Sequence, residues 1–164
     1  MAGPSMNELA GEFADQDVAS VFLYTGEAHP GENYPPLEGM AQKLEHARAL
    51  RDGRGITRLI VADELDGACH QVFGGLPNMT WILGKTGTVL YKSDWTDVAS
   101  VRNAVEYLLS ARERRRAGEK LVPIRVERLD YRSRDREEFL RVLEQCGPQA
   151  VRDFADTYGP DWAT

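Results

Sequence analysis

The stretch VASVFLYTGEAHPGENYPP, residues 18–36, decides the fold because it joins a short apolar run to a loop. Residues 18–24 are rich in apolar and aromatic side chains and are too few for a helix with a buried face, which predicts a central strand. Three prolines and two glycines in residues 26–36 predict a loop. This loop leaves the end of a buried strand, where ligand sites of open α/β sheets form.

Helices and strands alternate around this strand. Apolar residues at three- and four-residue spacing predict helices over residues 4–16 and 36–52, and Pro36 suits a first helical turn. The sequence then predicts a second buried strand at 57–61 and a short helix at 66–73. A hairpin follows, with strands at 79–83 and 88–92, and then a helix at 96–109 that begins at Thr96 and Asp97. The order βαβαββα predicts an α/β fold with a thioredoxin-like mixed sheet flanked by helices, in which a parallel pair carries an antiparallel hairpin at its edge.

The last third of the chain is predicted to be helical. The basic run at residues 112–116 is typical of a solvated helix end rather than of a binding patch. Asp135 and Glu138 resemble a capping pair, and Gly147 with Pro148 ends one helix and begins another. We therefore expect a thioredoxin-like domain over residues 1–110 and a helical C-terminal extension, residues 111–164, packed on it.

Composition excludes several classes of function. A chain of 164 residues with 42% hydrophobic content can bury one core, and its formal charge of −6 offers no attraction for nucleic acid or an anionic membrane surface. An apolar run of membrane-spanning length and a secretory signal are both lacking in the sequence, which predicts a cytoplasmic protein. Cys69 and Cys146 have no CxxC partner, so we expect no metal and no cofactor.

Three stretches, in order, resemble the iodothyronine deiodinases and their bacterial relatives: residues 24–30, 63–77 and 87–92. The first contains Glu27-Ala28-His29, which the family places beside its active site, and the second keeps the spacing from Asp63 to Leu76-Pro77. The resemblance covers about residues 9–109. It implies a thioredoxin-like fold with its site at this loop.

The chain departs from that family at its N-terminus. Deiodinases carry a cysteine or selenocysteine in a proline-containing turn before the first helix, whereas this sequence begins Met1-Ala2-Gly3-Pro4-Ser5-Met6. Reductive dehalogenation and disulfide exchange need a thiolate or selenolate as the attacking atom. We therefore expect either a divergent protein or a start that lies upstream, and we favour divergence.

Glu27 and His29 are the first candidates for catalysis without a thiol. An imidazole near a carboxylate exchanges protons close to neutral pH, and Asp63 ends the second strand at the same edge of a parallel sheet. The structural alternative is that His29 holds its loop by a hydrogen bond, Glu27 caps a helix and Asp63 forms a turn.

Four further side chains are candidates for substrate binding: Tyr34, Tyr24, His70 and Trp95. Tyr34 lies in the proline-rich loop, where a flat ring could stack on an aromatic substrate, although loop aromatics more often cover local apolar surface. Cys69 is the candidate nucleophile because it lies near a helix start beside His70. Neighbours in sequence point to different faces of a helix, however, so we favour a buried cysteine without a chemical role, and we interpret Cys146 in the same way.

These residues support three hypotheses. The first is a small-molecule enzyme that acts on an aromatic or phenolic substrate by acid–base chemistry at Glu27 and His29. The second is a thiol-dependent oxidoreductase or reductive dehalogenase that uses Cys69 or an upstream cysteine. The third is a binding module without catalysis, which the fold alone permits.

Overall fold

The computed structural model describes residues 3–121 and 136–159. These residues form an α/β protein with six α-helices, a 3₁₀ turn at Ala14–Gln16, and four short strands. In chain order the elements are α1 Gly3–Phe13, β1 Val21–Tyr24, α2 Met40–Gly53, β2 Leu59–Ala62, α3 Ala68–Val72, β3 Thr80–Leu83, β4 Val89–Ser93, α4 Val98–Arg116, α5 Arg136–Cys146 and α6 Pro148–Tyr158. Within these described ranges, every helix is too short or too polar to span a bilayer.

The described residues divide into two compact units. The first contains residues 3–77 and 136–159, and the second contains residues 78–121. The predicted domain boundary between residues 110 and 111 falls inside α4, and the two C-terminal helices belong to the unit of residues 3–77. The capping role expected for Asp135 lies outside the described residues.

Strands β1 and β2 form the parallel pair that the alternation of elements predicted. Val21 pairs with Leu59 and Tyr24 with Ala62, and the Asp63 N–H donates to the Tyr24 carbonyl at 3.0 Å, which continues the ladder by one residue. Both strands therefore end at one edge, and the loop that follows β1 starts there.

The hairpin of the second unit is also as expected. β3 and β4 pair antiparallel, with an irregularity between Ile82 and Leu83. Asp97 caps α4, since its carboxylate accepts the Ser100 N–H at 2.8 Å.

The strands of the described residues form two separate two-stranded sheets by backbone hydrogen bonding, where we expected one mixed sheet. Apolar runs identify strands but do not specify which neighbours they bond.

The second helix begins later than its sequence predicts. α2 starts at Met40 instead of Pro36 because the Gln42 side chain bonds the preceding segment, accepting the Glu38 N–H at 2.7 Å and donating to the Pro36 carbonyl at 3.2 Å. Residues 25–39 thus form one long connection between β1 and α2. This connection carries the residues of the candidate site.

Helices α5 and α6 supply a hydrophobic cluster of the first unit. Its buried members are Leu143, Cys146, Ala150 and Phe154, against which Tyr34, Phe139 and Val151 pack. Gly147 separates the two helices and Pro148 opens α6, as the sequence predicted. Since Tyr34 belongs to the connection after β1, the cluster joins that connection to the C-terminal helices.

Candidate functional site

The connection after β1 is fixed against the junction of α5 and α6. The Cys146 carbonyl accepts the Asn33 N–H at 3.0 Å, and the Asn33 side chain donates to the Gln145 carbonyl at 3.1 Å. Gly31 is buried so close to α5 that a Cβ there would overlap the Cys146 carbonyl oxygen. A residue without a side chain is therefore required at this position.

Glu32 completes this attachment by capping α6. Its two carboxylate oxygens accept the Gln149 N–H at 3.0 and 2.8 Å, and Arg152 donates to it at 3.2 Å. The Gln149 N–H bonds and the backbone N–H of Glu32 itself, with a smaller contribution from Arg152, hold the pKa of Glu32 below its ordinary value. An anion is stabilised at this position because the first N–H groups of a helix have no intrahelical acceptor.

Glu27 points towards β1 and not towards His29. The hydroxyl of Tyr24, a residue only 3% exposed, donates to Glu27 Oε1 at 2.9 Å. Burial, followed by the Glu27 charge, raises the pKa of Tyr24 above its ordinary value of 10.0, so its hydroxyl keeps its proton at neutral pH. The structure brings Glu27 and Tyr24 together, whereas no hydrogen bond joins Glu27 to His29 within the described ranges.

The His29 ring packs edge-on against the C-terminal helices. Its centroid lies 5.2 Å from that of Phe154 and 6.3 Å from that of Phe139, with interplanar angles of 86° and 88°. Burial lowers the pKa of His29 from its ordinary value of 6.5, so the imidazole is predominantly neutral at pH 7. A neutral imidazole can accept a proton.

His29 lines a cleft of about 190 Å³. One side is formed by the loop and the other by α6, and the lining residues are Ala28, His29, Pro30, Ala150, Asp153, Phe154, Thr157 and Tyr158. The cleft is small beside the usual ligand pocket of roughly 300–1,000 Å³. Its size suits a single aromatic ring.

Asp63 is buried and its carboxylate bonds the segment that leads into α3. Oδ1 accepts the N–H groups of Glu64 at 2.8 Å and Cys69 at 3.1 Å, while Oδ2 accepts that of His70 at 2.8 Å. Burial of the carboxyl opposes ionisation, but these donors and the charge of Lys43 together hold the pKa of Asp63 below its ordinary value of 3.8. This geometry corresponds to the structural role that the sequence predicted as the alternative to catalysis, in which the Asp63 carboxylate orders a turn.

His70 and Cys69 share that turn. The His70 ring bonds the Leu76 carbonyl through Nε2 at 2.8 Å, which closes the loop after α3. Cys69 is half-buried, and its N–H is held by Asp63. These contacts bring His70 and Cys69 together with Asp63.

Tyr34 belongs to a buried group that the sequence did not indicate. Its ring lies 5.3 Å from the ring of His46, which projects from α2, and His46 is 8% exposed with no hydrogen-bond partner for Nδ1 among the described residues.

Burial, followed by the charge of Glu27, raises the pKa of the Cys146 thiol. The structural interpretation of Cys146 fits this environment, since burial disfavours the thiolate.

Trp95 belongs to the second unit, between β4 and α4, and is 41% exposed. Within residues 3–121 and 136–159, no group of three histidine, cysteine, aspartate or glutamate side chains could hold a metal ion.

The cleft also contains residues that sequence reasoning missed. Asp153, Thr157 and Tyr158 follow one another on α6, more than 120 positions after His29. Asp153 and Thr157 are four residues apart and so share a helix face, and Tyr158 lies at its flank, but the sequence gives no signal that this face meets the loop. Comparison with known proteins found no match to this chain, either among family models, among curated proteins or among solved structures.

Proposed function

We propose that this chain is a small-molecule enzyme that acts on an aromatic or phenolic substrate, with His29 as the proton acceptor and without a thiol nucleophile. The observation that carries the proposal is the position of the His29 imidazole. This ring lines the cleft between residues 28–30 and α6 and packs edge-on against two phenylalanine rings. A substrate ring in the cleft would add to this aromatic packing.

The proton step needs only the imidazole and the substrate. A phenolic hydroxyl in hydrogen-bond contact with the imidazole donates its proton to the unprotonated ring nitrogen, which yields a phenolate and an imidazolium. Burial keeps His29 unprotonated at pH 7 and therefore able to accept a proton. The same burial disfavours the imidazolium, so the ion pair with the phenolate must stabilise the transferred proton. The partly buried ring also limits competition from water.

In this proposal Glu27 is a positioning residue rather than the partner of His29. Its carboxylate is held by the buried Tyr24 hydroxyl, which fixes the loop two residues before His29. Glu32 fixes the loop three residues after it by capping α6. The loop is therefore anchored on both sides of His29 in the sequence, as the positioning of a proton acceptor requires.

The scaffold that we propose is thioredoxin-like and related to the deiodinases. The parallel β1–α2–β2 unit and the β3–β4 hairpin followed by α4 agree with that order of elements. The segment Glu27-Ala28-His29 that carries the resemblance lies at the carboxyl end of β1.

Binding of 4-nitrophenol tests the proposal, because its visible absorbance reports its ionisation. We expect the wild-type protein to bind it and to increase the phenolate fraction at a pH below the pKa of the free ligand. His29→Gln keeps a polar side chain but cannot accept the proton, so this variant should not increase that fraction.

Two further variants separate the roles. Tyr24→Phe removes the hydrogen bond to Glu27 and should weaken the effect without abolishing it. Cys69→Ser should leave it unchanged. Equal phenolate fractions with wild type and His29→Gln would exclude His29 as the acceptor, and loss of the effect in Cys69→Ser would favour the thiol hypothesis instead.

A further inference from the structure

The α6 wall of the cleft carries the carboxylate of Asp153. This side chain lines the cleft, and its Oδ1 accepts the Gln149 side-chain N–H at 2.5 Å. Among the described residues no lysine or arginine pairs with it, because the adjacent Arg152 bonds Glu32 and the Gln149 side-chain oxygen instead. The negative charge of Asp153 is therefore available to a ligand.

Two aromatic rings on the same α6 wall also favour positive charge. Phe154 and Tyr158 lie with ring centroids 4.6 Å apart and with planes tilted by 39°, and both line the cleft with Asp153. Aromatic faces attract cations through their quadrupole, and a carboxylate beside them adds direct Coulombic attraction. The His29 ring is predominantly neutral at pH 7 and does not oppose a cation.

We propose that the cleft recognises the ammonium group of a small aromatic amine, with Asp153 as its counter-ion. This inference rests on the proposed function, in which the same cleft holds the substrate ring, and it adds the charge of that substrate. An anionic ligand is disfavoured because its carboxylate would face Asp153, and a neutral one gains nothing from it. The net charge of −6 further favours the approach of a cation.

Three probes with one phenol ring and different charge test the inference: tyramine, 4-methylphenol and 3-(4-hydroxyphenyl)propionate. Titrations followed by the NMR signals of the His29 ring give each dissociation constant at pH 7. We expect tyramine to bind about two- to fivefold more tightly than 4-methylphenol, the range that one exposed ion pair supplies, and the propionate to bind most weakly. Added salt should reduce the difference.

Asp153→Asn and Asp156→Asn form a matched pair of variants. Both remove one negative charge from an exposed position on α6, but Asp156 does not line the cleft. Asp153→Asn should remove the preference for tyramine, and Asp156→Asn should keep it. The amide oxygen that Asp153→Asn introduces can still accept the Gln149 side-chain N–H, and backbone spectra without ligand control for the fold.

The possible failures differ from one another. If 4-methylphenol binds as tightly as tyramine, or if both variants lose the preference equally, the inference is overturned while the cleft remains a site for a phenol. If no probe changes the His29 signals, the inference and the proposed function are both wrong.

Discussion

Replacing Gly31 by alanine should destabilise the protein more than any other single methyl addition to the loop. A Cβ at this position would overlap the Cys146 carbonyl oxygen and would lie 2.8 Å from its carbonyl carbon and 3.2 Å from the Ala150 Cβ. Gly31 does not have a positive φ, so the cost arises from contact and not from backbone conformation. Since carbon atoms pack best at about 3.5–4.0 Å, the loop must retreat by about 1 Å.

The magnitude follows from what such a retreat breaks. Overpacking of a closed contact costs about 1–3 kcal/mol, and the Asn33 N–H bond to the same Cys146 carbonyl contributes about 0.5–1.5 kcal/mol. We therefore expect the free energy of unfolding to fall by about 2–4 kcal/mol. At about 2–4 °C per kcal/mol for a chain of this size, Tm should fall by about 10 °C.

Urea denaturation followed by circular dichroism measures this loss, with Gly11→Ala as the control. Gly11 lies in α1, and a Cβ there would meet nothing within 4 Å, so alanine should stabilise the helix by about 0.5–1 kcal/mol. A Gly31→Ala variant within about 0.5 kcal/mol of wild type would mean that the loop does not approach α5 as described.

Three further predictions concern groups that are buried or half-buried. Asp63→Ala should lower the free energy of unfolding by about 3–5 kcal/mol, because three part-buried N–H donors lose a charged acceptor. Asp66→Ala, which removes one exposed bond, should cost about 1 kcal/mol, and equal losses in urea would contradict this role. A thiol reagent should label half-buried Cys69 faster than buried Cys146 in the native protein, as the two single serine variants can show, and the reverse order would contradict the observed burial. The pKa of His29 in the folded state lies below its ordinary value of 6.5, so between these two values the unfolded chain binds more protons than the folded protein. The free energy of unfolding should therefore fall as the pH decreases through this window. His29→Gln should flatten this pH dependence, and an unchanged dependence would assign the effect to another group.

The sequence predicted those parts of the fold that local pattern controls. The apolar runs located β1 and β2, and their separation by a helix implied parallel pairing, which Val21 opposite Leu59 confirms. Asp97 marked the start of α4 because a cap bonds N–H groups within its own first turn. Two sheets appeared in place of one because strand neighbours depend on tertiary packing, which periodicity does not encode.

The prediction of the site was limited in the same way. Glu27 and His29 are two residues apart, and an irregular loop can direct such side chains to different neighbours. Glu27 bonds Tyr24, three residues before it, whereas His29 contacts Phe139 and Phe154, more than 100 residues after it. Proximity in sequence therefore indicated a common loop but not a common partner.

The composition of the cleft bears on how far the family resemblance can extend to function. The proposed resemblance to the deiodinases covers about residues 9–109, and His29 lies within that range. Asp153 and Tyr158, which form the opposite wall, lie outside it. Specificity depends on the contacts that distinguish one ligand from another, and here the only carboxylate in the described lining belongs to α6. If the loop after β1 supplies the proton acceptor, the choice of substrate should therefore depend on helices that the proposed resemblance does not include.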